Sequence, residues 1–490
     1  MATSSAQGST VGPLQALRWN SRPDIHIELA GQKEGCPNSY TTGDIIEGVV
    51  SISVDSETAF DKLDIVFEVL TNRQASPKGY QVNERAIGVS ETQQSQVIAL
   101  PSQAKAYHAF LKLYQPIRDA EYPTPRTLVV GRIYRFPFNF AVPEQLLSTA
   151  CDHVKRNYHI GRAHIWLPPS LGDPMLASDG RVSLDDMSSE LCRISYRIRA
   201  SLTISSTGDK SALTILRAVA TKVRIIPVVE EEPPLAVNHN GSDYCLQSVK
   251  DIKTGITRTK RGSLMATASQ PPPLQMCPPG SKLPPDVYTT ATVHLRFDPI
   301  GDEPPPKLSS VSSKLGVSTF YTITPWTDFP SASYVDFLGR HHYTTTVPLS
   351  SLCVSSMEWT RHSGVRIPGQ GVLVNLTATE VPPRTSVTED RGTYYTAAAI
   401  VPITLPAAKA FVPTFHSCLI SRVYALELSI SYHTPHASLL TPYISLRLPI
   451  QVTVQPRSRP LIPPPLYSKP HPTDVEMRHG GLVYDKPPVI

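Results

Sequence analysis

Apolar residues return at every second position through most of this chain. Ile25, Ile27 and Leu29 alternate with Asp24, His26 and Glu28, and the pattern recurs at Val50, Ile52, Val54, at Leu63, Ile65, Phe67, Val69, and at Phe136, Phe138, Phe140. It continues at Tyr196, Ile198, Ala200, Leu202, Ile204 and at Val293, Leu295, Phe297. Two long runs come last: Tyr424, Leu426, Leu428, Ile430, Tyr432 and Ile444, Leu446, Leu448, Ile450, Val452. Side chains along a β-strand point alternately to opposite faces, so each run buries one face and wets the other. The 48 prolines spread along the 490 residues exclude long helices as the main element, because each removes a backbone donor. The expected fold class is all-β, with antiparallel sheets packed as sandwiches.

One sandwich domain takes roughly 100 residues, and the strand-rich material is several times longer, so two large consecutive sandwiches are expected. Glu230-Glu231-Glu232-Pro233-Pro234, followed by Asn238-His239-Asn240-Gly241, interrupts the alternation with an acidic run, prolines and turn formers. The expected organisation is a disordered start at 1–20, a first sandwich at 21–229, a hinge at 230–241 and a second sandwich at 242–454. A proline-rich loop at 270–286 is expected inside the second sandwich, because alternation resumes at Val293. Residues 456–490 hold nine prolines, and 455–490 read as a disordered tail of polyproline II character.

Several function classes are set aside. The net charge of +5 is too small to argue for nucleic acid. No apolar run reaches the about 18 residues of a membrane helix, and residues 1–20 lack the basic start and apolar centre of a secretory signal, so a cytoplasmic chain is expected. The seven cysteines are scattered, without a Cys-x-x-Cys pair, and read as reduced thiols in core or bystander positions. No nucleophile elbow, phosphate-cradling loop or His-Glu-x-x-His motif occurs, so no catalytic residue, cofactor or metal site is expected. His341-His342 would point opposite ways on a strand, and Asp185-Asp186 reads as a turn.

Against this background several stretches resemble the arrestin family, in particular the fungal α-arrestin-like proteins. In the first half they are Tyr40-Thr41-Thr42-Gly43-Asp44-Ile45-Ile46-Glu47-Gly48, Phe136 to Pro143, Leu167-Pro168-Pro169-Ser170-Leu171-Gly172 and Ser195 to Ala200. In the second half Phe411 to Tyr424 and the two terminal strands carry the likeness. The resemblance implies immunoglobulin-like β-sandwiches in tandem. Gly43-Asp44 is also a tight-turn signal in its own right.

In the tail, Pro464-Pro465-Leu466-Tyr467 matches Pro-Pro-x-Tyr, a ligand for WW domains. Proline pre-sets the extended helix such a domain grips, so little ordering entropy is lost on binding. Pro284-Pro285-Asp286-Val287-Tyr288 has one residue too many before its tyrosine. Arg258-Thr259-Lys260-Arg261-Gly262-Ser263 places a hydroxyl among basic residues, making Ser263 a candidate phosphorylation site on what reads as a loop.

By resemblance, the expected function is a non-catalytic adaptor. It would link cytosolic regions of plasma-membrane transporters or receptors to a HECT-type ubiquitin ligase held by the tail motif, promoting cargo ubiquitination and endocytosis. Recruitment to plasma membrane or endosomes and peripheral membrane association follow from that reading. The alternatives are an arrestin-fold trafficking scaffold without a ligase and, from another class, a β-sandwich hydrolase with a pocket of convergent His, Asp or Glu.

Overall fold

The computed structural model describes residues 22–32, 37–70, 95–98, 105–107, 110–173, 177, 184–206, 209–232, 243–254, 259–281, 287–322, 324–334, 340–365, 391–433, 441–456 and 483–484. Alternation becomes strand wherever it was strong. In Tyr134–Ala141 the rings of Tyr134, Phe136, Phe138 and Phe140 are buried while Arg135, Pro137 and Asn139 face solvent. Pro137 is tolerated there because this strand lies at the edge of its sheet and need not donate on both sides.

The first half is a sandwich of two layers. Asp24–Leu29, Ile45–Ser53 and Tyr134–Ala141 form one antiparallel sheet, with Ile45–Ser53 in the middle. The other is centred on Cys192–Ser206, flanked by Asp209–Ile225 and Lys62–Leu70. Phe67, Phe138, Phe140 and Tyr196 meet between the layers with ring centroids 5.8 to 6.0 Å apart, close to optimal for offset or edge contacts. The Gly43 turn forms as its sequence suggests: φ is +79°, the Asp44 amide donates to the Thr41 carbonyl, and the Asp44 carboxylate accepts from the Thr41 amide at 2.9 Å.

The second half repeats the plan. Gln247–Thr254, Thr259–Thr267, Tyr288–Pro299, Arg391–Thr404 and Thr360–Val365 make one five-stranded antiparallel sheet. Lys307–Thr322 and Ile420–His433 run at the centre of the other, beside Arg340–Cys353 and Tyr443–Ile450. Each half also carries a fully buried tyrosine tied to backbone: Tyr196 donates to the Pro168 carbonyl and Tyr424 to the Val412 carbonyl, both at 2.6 Å. Burial alone would strand those hydroxyls; the carbonyls satisfy them. No helix among the described residues is long and apolar enough to cross a membrane.

The proline-rich stretch at 270–286 is not simply a loop. Leu274–Met276 pairs in parallel with Val452–Val454, and Leu274 is completely buried. Prolines on either side remove donors only at their own positions, so three residues between them can still form a ladder. The expected hinge is likewise anchored at its start: Val229 pairs with Val454, and Glu232 exchanges two hydrogen bonds with the Gln451 side chain. Residues 233–242 lie outside the described residues. Of 455–490 the structure describes Gln455, Pro456 and a two-residue strand, Val483–Tyr484, paired with Lys105–Tyr107.

On the face of the large first-half sheet opposite Tyr196 and Ile198, Glu68 is buried between two arginines. Arg197 Nη2 lies 2.5 Å from Glu68 Oε1, and Arg199 donates to both carboxylate oxygens at 2.8 and 3.3 Å. Replacing Glu68 leaves two half-buried arginines side by side with no counter-charge, which costs far more than an exposed pair is worth. Glu68→Gln is expected to lower the unfolding free energy by ~3–5 kcal/mol in urea titration, with little relief from added salt because the charges are shielded from solvent. A packing test addresses the opposing sheet. A Cβ on Gly48 would run into the Glu28 carbonyl and the Phe138 ring, so Gly48→Ala is expected to cost ~1–3 kcal/mol by the same titration.

Candidate functional site

The two sandwiches keep two apolar cores but exchange residues between them. Tyr321, Val412, Phe415, Leu419, Ile420 and Val454 belong by sequence to the second half but pack into the apolar core of the first. Met187 does the reverse, packing into the second core from a left-handed backbone at φ +56°. The seam between the halves is therefore buried, and its polar groups are the ones whose arrangement carries chemical information.

Arg422, the third residue of Ile420–His433, is fully buried there. Its Nη1 donates to the Asp186 carbonyl at 3.0 Å, while Nε and Nη2 find no partner among the described residues. Asp185 and Asp186 shape the loop that presents this carbonyl. Asp185 Oδ1 accepts from the Met187 amide, and Asp186 accepts from the Ser188 amide and, at 2.6 Å, from the Gly172 amide. Lys409 reaches across at 2.8 Å and, as the leading cause, holds the Asp185 carboxyl below its usual range. The pair is a structural latch, with both carboxylates committed to backbone and lysine.

A second polar group lies on the same seam. Cys151 follows the short turn Ser148–Ala150, and His153 is two residues on. His164 caps the carboxyl end of the helix Tyr158–Ala163, whose start is fixed by Asn157 accepting from the His159 amide at 2.9 Å. Cys418 sits in the reversal between Phe415–His416 and Ile420–His433, where Ser417 and Ile420 close the turn with backbone and hydroxyl hydrogen bonds. The Trp326 amide donates to the Cys418 carbonyl and the Arg156 amide to the Thr327 carbonyl, so segments of both halves lock around this point.

Cys151 Sγ lies 3.1 Å from His153 Nε2, 3.5 Å from His164 Nδ1 and 3.3 Å from Cys418 Sγ. Cys151, His164 and Cys418 are buried and His153 is half-buried. The Cys418 thiol, followed by the two imidazoles, favours thiolate at Cys151, while the proton stays on Cys418, whose own ionisation the neighbouring sulfur and burial oppose. Burial also pushes the His164 imidazolium down, so this ring is neutral and offers a lone pair. Sequence reasoning missed the group. Cys151-x-His153 was the available signal, since alternate residues of an extended segment share a side. Cys418 is 267 positions away and no local pattern could supply it.

None of the sequence-predicted residues that the structure describes belongs to this cluster. Pro464, Pro465, Leu466 and Tyr467 fall outside the described residues, as does Arg258. Ser263 is in mid-strand, not in a loop, half-buried in Thr259–Thr267 and opposite Asp251 on one side and Asp298 on the other. A phosphate there would meet two carboxylates, and like charges directly opposite are unfavourable. His341 and His342 stack on different rings, Tyr321 and Phe320, and do not converge. In comparisons with known proteins, no family model matches the chain and no curated protein is similar to it.

The cysteine environments make a direct test. Burial pushes the Cys192 thiol up to about 12, so it stays protonated at neutral pH and sheltered from reagent. Cys353 is exposed and its thiolate is favoured by hydrogen bonds from Ser355. Brief alkylation of the native chain followed by peptide mass spectrometry is expected to label Cys353 early and leave Cys192 unmodified until denaturant is added.

Proposed function

We propose that this chain is a non-catalytic adaptor of the arrestin-like kind, in which paired β-sandwiches offer a platform to cargo and the carboxy-terminal segment recruits a ubiquitin ligase. The observation that carries this reading is the Pro464-Pro465-Leu466-Tyr467 motif itself, which follows Val452–Val454 in the sequence. A ligand for WW domains attached there raises the local concentration of a HECT-type ligase beside whatever the platform holds, by tethering and not by chemistry. The resemblance of Tyr40 to Gly48, Phe136 to Pro143 and Phe411 to Tyr424 to fungal α-arrestin-like sequences supports the same reading. The cargo would be cytosolic regions of plasma-membrane transporters or receptors, the outcome their ubiquitination and endocytosis. A cytoplasmic chain drawn to plasma membrane or endosomes would serve that role.

A hydrolase is the weaker alternative. Cys151 has imidazoles beside it, as a nucleophile would, but Cys418 Sγ sits on it at 3.3 Å inside the packed seam. An attacking sulfur needs a substrate atom at about that distance and an open approach.

Purified full-length chain is expected to retain isolated WW domains of HECT ligases, and Tyr467→Ala is expected to weaken retention by at least about tenfold because the tyrosine pocket is left empty. Retention that survives Tyr467→Ala would refute ligase recruitment through this motif and leave a scaffold without a ligase as the better reading.

A further inference from the structure

We propose that Cys151, His153, His164 and Cys418 bind one zinc ion that fastens the two sandwiches together. All four donor atoms lie within 4.8 Å of one another. A tetrahedral zinc with Zn–S of about 2.3 Å and Zn–N of about 2.0–2.1 Å separates its ligands by roughly 3.3–3.8 Å. The contacts at 3.1, 3.3 and 3.5 Å already approximate those edges, and only small side-chain shifts are needed to open the set around an ion.

The donor set selects the metal. Two sulfurs and two imidazole nitrogens suit zinc, whereas calcium and magnesium demand oxygen ligands, and the cluster has none. Four protein donors complete a tetrahedron and leave no position for water, which makes the site structural and not catalytic. Charge agrees with location. Two thiolates neutralise a divalent ion, so the buried centre carries no net charge, and burying it avoids the cost of an isolated ion.

The surroundings orient the ligands. His153 Nδ1 lies 3.1 Å from the Val154 carbonyl, a hydrogen bond that places the proton on Nδ1 and leaves Nε2 free to ligate. Lys155 Nζ donates to the Cys151 carbonyl at 2.6 Å, tying down the backbone of this ligand. The helix Tyr158–Ala163 and the Phe415–Ile420 reversal hold His164 and Cys418 on backbone that is already hydrogen-bonded. His153, the least buried ligand, is the side from which an ion would enter.

The position gives the ion a job. Three ligands come from the first sandwich and one from the second, so a single coordination sphere joins positions 267 apart and closes a very long chain loop. The site goes beyond the adaptor reading and does not depend on it; either can fail alone.

The test uses the full chain, purified under reducing conditions without chelator. Elemental analysis is expected to find about one zinc per chain, and stripping it is expected to lower the melting temperature by about 10 °C, restored by adding zinc chloride alone. Cobalt(II) added to the stripped chain should give the strong visible bands of a tetrahedral site with thiolate-to-metal charge transfer. Cys418→Ser should hold about tenfold less zinc or worse, while Cys245→Ser, an exposed cysteine outside the cluster, should keep it. If Cys418→Ser does not fold, alkylation of the wild-type chain decides: Cys151 and Cys418 should be protected with zinc and become reactive once it is stripped. The proposal is overturned if the stripped wild-type chain takes up neither zinc nor cobalt, if Cys418→Ser retains full zinc, or if the two thiols form a disulfide in the reduced preparation.

Discussion

The architecture depends on a seam that is apolar across a covalent boundary. Two sandwiches joined by a linker would ordinarily be free to reorient, since interfaces between domains of one chain are commonly modest and polar. Here Phe415, Leu419 and Ile420 complete the core of the other half, and Val452–Val454 is divided between the two, Val452 in the second core and Val454 in the first. Pulling the halves apart would expose apolar surface from both cores at once. At roughly 25 cal/mol per Å² of apolar surface, a few buried side chains of this size are enough to hold the pair as one body.

Polar groups on that seam had to be accommodated once the apolar ones fixed it. Arg422 can be buried because the Asp186 carbonyl is turned toward it, and that carbonyl is turned by a loop whose two aspartates bond their own backbone. Cys151, His153, His164 and Cys418 are another polar group on the seam, and they differ in kind. Arg422 gives a single hydrogen bond, to a backbone carbonyl, and the aspartates of its loop bond backbone; the four donors lie within 4.8 Å of one another, which is how ligands stand around an ion.

In the proposed adaptor reading, two roles would fall to physically different parts of the chain. The sandwiches give fixed geometry, through packed cores that deform little. The proline motif, in that reading, would be recognised through local backbone preference and not through the platform's packing. An adaptor needs both, because tethering raises local concentration only if cargo and ligase are held at the two ends of one molecule.

The alternation at residues such as Phe136 to Phe140 and Tyr424 to Tyr432 determined the strands, because side-chain direction on a strand is a local property of two neighbouring residues. Gly43-Asp44 determined its turn for the same reason. The tail motif is a reading that sequence alone can propose, because a linear ligand is read in order along the chain. Local composition misled at Leu274–Met276 and at Ser263, where prolines and basic residues look like loop, since the partners Val452–Val454, Asp251 and Asp298 that make them strand lie elsewhere in the chain. What only the tertiary structure decided is the exchange of residues between the two cores and the meeting of Cys418 with Cys151, His153 and His164. Both require residues far apart in sequence to become neighbours, and no periodicity, spacing or composition encodes which distant surfaces will bury each other.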